Sequence, residues 1–317
     1  LLAMFLVVLS TNWAMSQGVT TGNIQGLVTD SSGDALPGAN VVATHEPSGT
    51  RYGAVSNLEG RFVLPNMRVG GPYTVRITFV GFEERAFKGI VLGLGQTYTL
   101  NAVLSDGLEL EAIEVIASKD AIMNADKTGA ALNLTNERIN ALPTVNRNIN
   151  DFTRLTPQSN GTSFAGTSSR FNNYTVDGNI YNNNFGLGSG QFAGSNPISL
   201  DAIEEVQVNL APYDVRLAGF TGASVNAITK SGTNEFTGSA YYFLRNDQMI
   251  GDKVGDTRLP IDDSKNEIVG FRLGGPIIKN KLFFFVSYET ESEAVPSYTK
   301  VAARPGLEPD GLQSTSI

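Results

Sequence analysis

The sequence predicts a mainly β chain in three parts: a small β-sandwich, a mixed α/β domain, and the first strands of a membrane β-barrel. Three observations predict it. Short alternating strands separated by turn clusters fill residues 22–104, with no long helical period. Two short helical stretches, before Pro143 and Pro157, interrupt the strands that follow. From Glu235 the alternation lengthens to that of a strand able to cross an outer membrane. The 317 residues suggest two or three domains. Charged residues are only 17%, and a net charge of −8 argues against a nucleic-acid binder. The chain has no cysteine, which excludes a disulfide framework and a thiolate metal site.

Residues 1–16 are expected to be a signal peptide. Ala3 to Leu9 is an apolar run too short for a stable anchor, and Ala14 and Ser16 put small residues at −3 and −1 of a cleavage site before Gln17. The charged opening such segments carry is absent, so the start is expected to be clipped.

Residues 22–104 read as the sandwich. Ile24–Thr29, Ala39–Thr44 and Arg61–Leu64 are strands, with turns at Asp30–Asp34 and Asn57–Gly60. Tyr73, Val75, Ile77 and Phe79 alternate with Thr74, Arg76 and Thr78. About seven strands over this length make a small sandwich. The run from Gly26 to Val41, with Asp30, Gly33 and Leu36-Pro37-Gly38, resembles the opening of a carboxypeptidase regulatory-like domain, and Asn57–Leu64 and Gly71–Val75 continue the match. The resemblance implies a transthyretin-like, Ig-like sandwich without catalytic power of its own.

Residues 105–131 read as a linker. Inside it Ile113, Val115 and Ala117 alternate with Glu114 and Ile116. The segment Ala112, Ile113, Glu114, Val115, Ile116, Ala117 resembles a TonB box, the peptide a receptor offers to a TonB-type periplasmic energy-coupling protein. The physical basis would be β-augmentation, the addition of a freely presented strand to a partner's sheet edge.

Residues 132–230 read as the α/β domain. Glu137–Leu142 and Asn148–Thr156 are short helices, the second with Ile149, Phe152 and Leu155 at helical spacing. Asp177-Gly178 suits a type I′ hairpin turn within Tyr174–Ile180. Ile203–Leu210 is a strand, and a short buried strand ends at Lys230. In order, Tyr174–Ile180, Leu200–Val208, Pro212-Tyr213-Asp214 and Gly219–Asn234 resemble the plug of TonB-dependent outer-membrane receptors. The resemblance implies substrate-contacting apices around 172–194, with Asn172, Tyr181, Asn183 and Phe185 as candidate contacts.

From 235 to 317 the start of a barrel is expected. Its strands are Phe236–Arg245, Glu267–Gly274 and Leu282–Thr290, joined by a long polar connection and then a short one, as outer loops and periplasmic turns alternate. Phe271, Leu273, Phe284 and Val286 should face lipid, and Arg272, Ser287 and Glu289 the lumen. Gly274–Phe285 resembles the Oar-like branch of these receptors. Three strands cannot close a barrel, and unpaired edges in lipid leave costly backbone groups. The chain is therefore expected to be the N-terminal part of a longer protein.

No catalytic site is expected. His45, next to Glu46-Pro47, reads as a surface turn residue with no second histidine for a zinc site or triad. Gly188–Ala193 fits a loosened dinucleotide fingerprint but lacks the leading strand. Asp30, Asp34, Asp262 and Asp263 suit calcium, but turn solvation explains them better. Neither metal nor cofactor is expected. The resemblance implies an outer-membrane transporter, embedded in outer-membrane lipid, with its sandwich in the periplasm, taking up an extracellular substrate and in some cases working with a surface lipoprotein. A surface or adhesion protein of the same architecture is the alternative. A secreted peptidase bearing the sandwich is a weaker one.

Overall fold

The structure, a computed structural model, describes residues 19–107, 113–116, 131–144, 147–182, 198–210, 217, 219–251, 253–255, 257–258, 263–294, 297–298 and 314–315. The expected signal peptide and the Gly188–Ala193 stretch lie outside them.

The first part contains β1 (Thr21–Asp30), β2 (Asn40–His45), β3 (Thr50–Val55), β4 (Arg61–Arg68), β5 (Gly70–Thr78), β6 (Arg85–Leu92), β7 (Thr97–Thr99), β8 (Ala102–Leu104) and β9 (Ile113–Ile116). In one sheet β1 lies between β4, antiparallel, and the short parallel strands β7 and β8. The other sheet has the order β3-β2-β5-β6-β9. The period-two pattern turns Tyr73, Val75 and Ile77 of β5 inward, against Ile24, Val28, Phe62, Leu64, Ile90 and Leu92. Each such side chain contributes roughly 1.5–3 kcal/mol by leaving water. Gly26 is required sterically, because a Cβ there would run into the Leu100 carbonyl. That approach lets the Leu100 N–H reach the Gln25 carbonyl at 2.7 Å.

His45 differs from expectation. It is only 3% exposed. Its ring lies 4.9 Å from that of Tyr73, and Nδ1 is 2.7 Å from Ser48 Oγ. Burial, and secondarily the nearby Arg68 guanidinium, lower its pKa to about 4.

The middle part holds β10 (Ala131–Thr135), α1 (Asn136–Ala141), α2 (Ile149–Thr153), the small ladder β11 (Ser159–Asn160) and β12 (Ser163–Phe164), then β13 (Asn173–Val176), β14 (Asn179–Ile180), β15 (Ile203–Asn209) and β16 (Ser224–Thr229). Its sheet order is β10-β15-β16-β13-β14. Asn148 caps α2, its side chain accepting from the Asp151 N–H at 3.2 Å. The helix is shorter than expected: it ends at Thr153, and Leu155 lies beyond it, exposed. Asp177 and Gly178 both have positive φ, 49° and 82°, as the expected tight turn demands.

The last part is a wall of β17 (Thr237–Asn246), β20 (Lys265–Ile278) and β21 (Leu282–Ala294), in the order β17-β20-β21. Between β17 and β20 lies the small hairpin β18 (Lys253–Val254) and β19 (Thr257–Arg258). Beyond the wall, β22 (Ser297–Tyr298) pairs with β23 (Ser314–Thr315). The antiparallel register sets Ser239 opposite Arg272 and Arg272 opposite Ser287, so these three share one face. Ala240, Phe271 and Tyr288 line up on the other. Among the described residues no helix is long and apolar enough to cross a membrane, which says nothing of strands.

Candidate functional site

The expected coupling segment is not a free peptide here. Of its residues Ile113, Glu114, Val115 and Ile116 form β9, which pairs in parallel with β6: Arg85 with Ile113, Ala86 with Glu114, Phe87 with Val115, and Lys88 with Ile116. Ala112 and Ala117 lie outside the described residues. The sequence suggested a strand but not its neighbour. β6 would otherwise end the sheet with an unpaired edge, and such an edge captures any extended segment within reach. The chain is led there by a bridge between Phe82 and Asp106 and by the Glu83 N–H donating to the Ser105 carbonyl at 3.0 Å.

The sandwich is docked on the middle sheet through the turn after β6. Leu94, wholly buried, donates its N–H to both oxygens of Glu205, at 3.1 and 3.0 Å. Its carbonyl accepts from Gln207 Nε2 at 2.6 Å and from Asn133 Nδ2 at 3.3 Å. The Val19 carbonyl accepts from Asn226 Nδ2 at 2.6 Å. Asn133, Gln207, Asn226 and Thr175 fall in one row across four strands. The alternate positions Leu134, Val206, Val208, Val225 and Tyr174 turn to the opposite face and pack with Phe152 and Ile139 of the helices. One face of this sheet is thus apolar and covered by helices, and the other is a polar row covered by the sandwich. Burial raises the Glu205 carboxyl to about 7; the Leu94 N–H and the Asn133 amide oppose that rise, and neighbouring Glu204 adds to it.

The middle part also touches the polar face of the wall, through the turn that leads into β15 and the residue ahead of the α2 cap. Asp201 accepts from the Ser239 hydroxyl, and Arg272 Nε lies 3.4 Å from the same carboxylate. Ser199 and Ser287 hydroxyls are 2.9 Å apart. The Arg147 guanidinium lies over the rings of Tyr241 and Phe243, 4.8 and 4.1 Å from their centres. The expected lumen residues Arg272 and Ser287 therefore face the middle part, while Phe271, Leu273 and Val286 lie on the exposed side. At the short-turn end, Asn280 and Asn234 exchange two hydrogen bonds of 2.8 Å, and the Asn234 N–H donates to the Pro47 carbonyl of the sandwich at 2.8 Å.

Of the candidate substrate contacts, Asn172 requires correction. It is buried and fully engaged: Nδ2 donates to the Thr162 carbonyl at 2.8 Å and Oδ1 accepts from the Ala223 N–H at 3.0 Å. It is a strut of the loop and not an open contact. Tyr181 is 44% exposed and keeps a free face. Asn183 and Phe185 lie outside the described residues. The His45–Ser48 pair has the spacing of a base and nucleophile, but both are sealed in the sandwich. Among the described residues no acidic or histidine cluster could hold a metal. Asp30 Oδ1 accepts from the Ser32 and Asp34 N–H groups at 2.9 and 2.8 Å, a turn-forming role.

Comparison with known proteins agrees with this layout. Residues 23–105 match the carboxypeptidase regulatory-like domain, and residues 228–306 match an outer membrane β-barrel domain. The chain carries both domains, belongs at the outer membrane, and is homologous to TonB-dependent transporters. It is 27% identical over 290 residues to the TonB-dependent transporter Oar of Myxococcus xanthus, a match covering 83% of this chain and 26% of the relative. It is 29% identical over 201 residues to the probable TonB-dependent siderophore receptor PirA of Acinetobacter baumannii, covering 57% of this chain and 24% of the relative. The chain thus spans about a quarter of the length of these relatives. The crystal structure of the A. baumannii siderophore receptor PirA matches with a TM-score of 0.37 and 25% identity, over 52% of this chain and 24% of that one, too loosely to carry an argument.

Proposed function

We propose that this chain is the N-terminal part of a TonB-dependent transporter that takes an extracellular solute through the outer membrane. In this reading residues 132–230 are the plug, 105–131 the coupling linker, and the strands from 235 the beginning of the barrel. The observation that carries it is the seating of the middle part, through Asp201 in the turn before β15, on the polar face of a wall whose other face is apolar and exposed. A polar-in, apolar-out wall suits lipid outside and a filled lumen inside. The sandwich touches the wall at its short-turn end, through Pro47 and Asn234. Short turns of such barrels face the periplasm, which supports a periplasmic sandwich. The partner is a TonB-type energy-coupling protein, and the work is passage of a solute, not catalysis. A surface lipoprotein that hands over the solute would fit the outer face.

The test uses the full-length protein and the purified periplasmic domain of the coupling protein. Val115→Pro removes a main-chain donor and fixes φ, and should abolish binding of that domain. Glu114→Ala should change it little, because main-chain pairing tolerates side-chain change. Unchanged binding by the proline variant would move the coupling segment elsewhere.

A further inference from the structure

We infer that the turn between β20 and β21 is a binding site for an anionic phospholipid of the periplasmic leaflet. Lys279 and Lys281 take the headgroup phosphate, and the exposed apolar residues beside them take the start of the acyl chains. The inference rests on the orientation of the wall proposed above, with its short turn at the periplasmic face.

The apolar face of the wall continues down to this turn. Phe236 is 70% exposed and Ile277 61%, and Ile278 and Leu282 are exposed with them. Gly275 makes room for Phe236, because a Cβ there would run into its ring. That ring reaches across to Phe284, with 6.2 Å between their centres. A register shift between Pro276 and Ile278 leaves Ile277 as an extra residue in β20. Ile277 and Ile278 are therefore both exposed, next to Leu282, the partner of Ile278. The result is a shelf of apolar side chains at the end of the lipid face.

Two ammonium groups follow the shelf at once. Lys279 and Lys281 are exposed on either side of Asn280, and neither has an ion pair or side-chain hydrogen bond among the described residues. The turn that carries them is fixed. The Lys281 N–H donates to the Ile278 carbonyl at 3.1 Å, and Asn280 takes a φ of 61°. Asn280 is tied to Asn234, which itself meets the sandwich at Pro47. The lysine stems are left to run along the shelf, with their charges at headgroup height. Glu235, the acidic residue at this end of β17, is one position from Phe236 and so alternates to the other face.

The far end of the same strands has the opposite sign. Glu267, Glu291 and Glu293 lie there, and Lys265 is already paired with Glu267 at 2.9 Å. A layer of anionic headgroups complements the basic end of the wall and is repelled by the acidic one. A soluble anion would use the two ammonium groups and leave the shelf bare. A zwitterionic lipid would cover the shelf, but its own cation would compete for the phosphate. A phospholipid with net negative charge meets both halves of the site.

The test uses the full-length protein refolded into phosphatidylcholine vesicles, with a fluorescent label on Leu282→Cys. The chain described here has no cysteine of its own, and any in the remainder are changed to serine. The probes are nitroxide-labelled phosphatidylglycerol and nitroxide-labelled phosphatidylcholine at equal mole fraction. One lysine at an anionic surface is worth about fivefold in affinity, so phosphatidylglycerol should be preferred at Leu282 by at least about fivefold. The preference should disappear in the double variant Lys279→Gln with Lys281→Gln, and survive in Lys279→Arg with Lys281→Arg. A label on Val269→Cys, on the same face near the acidic end, should show no preference. Equal quenching of the Leu282 label by the two lipids would overturn the site and leave the lipid-facing wall intact. A preference that persists in the glutamine variant would also overturn it. A label that neither lipid quenches would instead remove the lipid-facing wall on which the inference rests.

Discussion

On β15, Glu205, Gln207 and Asn209 are as buried as Val206 and Val208 between them. On β20, Val269, Phe271 and Leu273 are each 46% exposed, while Arg272 between the last two meets Asp201. The two sheets have opposite polarity with respect to their surroundings. Alternation of period two is common to both, so periodicity alone cannot say which face is the inside. The chemistry of the covering medium decides it: a docked domain supplies hydrogen bonds to the polar row of the middle sheet, and an apolar medium suits the exposed face of the wall.

The largest effect that can break this comparison lies on the wall. In the full-length protein refolded into phospholipid vesicles, Val286→Lys, further from the short turn on the exposed face of the wall, should cost roughly 2–4 kcal/mol if it sits near mid-membrane. Ser287→Lys, on the face toward Asp201 and Glu289, should cost far less; equal costs in a denaturant titration would reverse the faces. Next comes the polar row. Gln207→Ala removes the donor to the Leu94 carbonyl and should weaken docking of the sandwich by about 1–3 kcal/mol, read as faster proteolysis between the two parts.

Docking should also depend on pH, with an effect comparable to that of Gln207→Ala. The Glu205 carboxyl is raised from 4.5 to about 7, so the docked state binds the extra proton. That contribution is complete below about pH 4.5 and is lost as pH rises through about 7, with a slope of at most about 1.4 kcal/mol per pH unit. Docking should be tighter at pH 5 than at pH 8, and Glu205→Gln should flatten the profile between them. The smallest effect sharpens the contrast. Val80 of the sandwich is 93% exposed and faces water, so Val80→Ser should change the melting midpoint by no more than about 0.5 kcal/mol in free-energy terms. A cost like that of the wall substitutions would mean that Val80 too is covered.

The sandwich and the wall were legible because their signals are local. Tyr73, Val75 and Ile77 announce one face of β5, and Phe271 and Leu273 one face of β20, within a few residues each. β3 was missed because only Tyr52 and Ala54 of Thr50–Val55 turn toward the core, both half-buried, and the exposed Val55 blurs the alternation. The burial of His45 was missed because Tyr73 and Arg68, which surround it, come from later in the chain. The contact of Leu94 with Glu205 joins residues 111 apart, and no pattern in either stretch points to the other. The same holds for Asn172. Asn-rich loops read as open surface, yet this side chain closes its own loop against Thr162 and Ala223. Glu205, Gln207 and Asn209 did carry a signal: a polar residue at every second position of a strand whose other face is apolar asks what satisfies it.

The polar row has a bearing on what happens when the sandwich lifts away. An apolar joint of the same size would expose oily surface to water and would close again or aggregate. Here the uncovered groups include amides, a carboxyl and main-chain carbonyls, which water solvates well, beside the apolar side chains of Leu94 and Val19. Exchanging a protein hydrogen bond for one to water changes the free energy by only about 0.5–1.5 kcal/mol. The polar row is therefore the wettable part of the joint, where solvent could take over the hydrogen bonds of a departing domain.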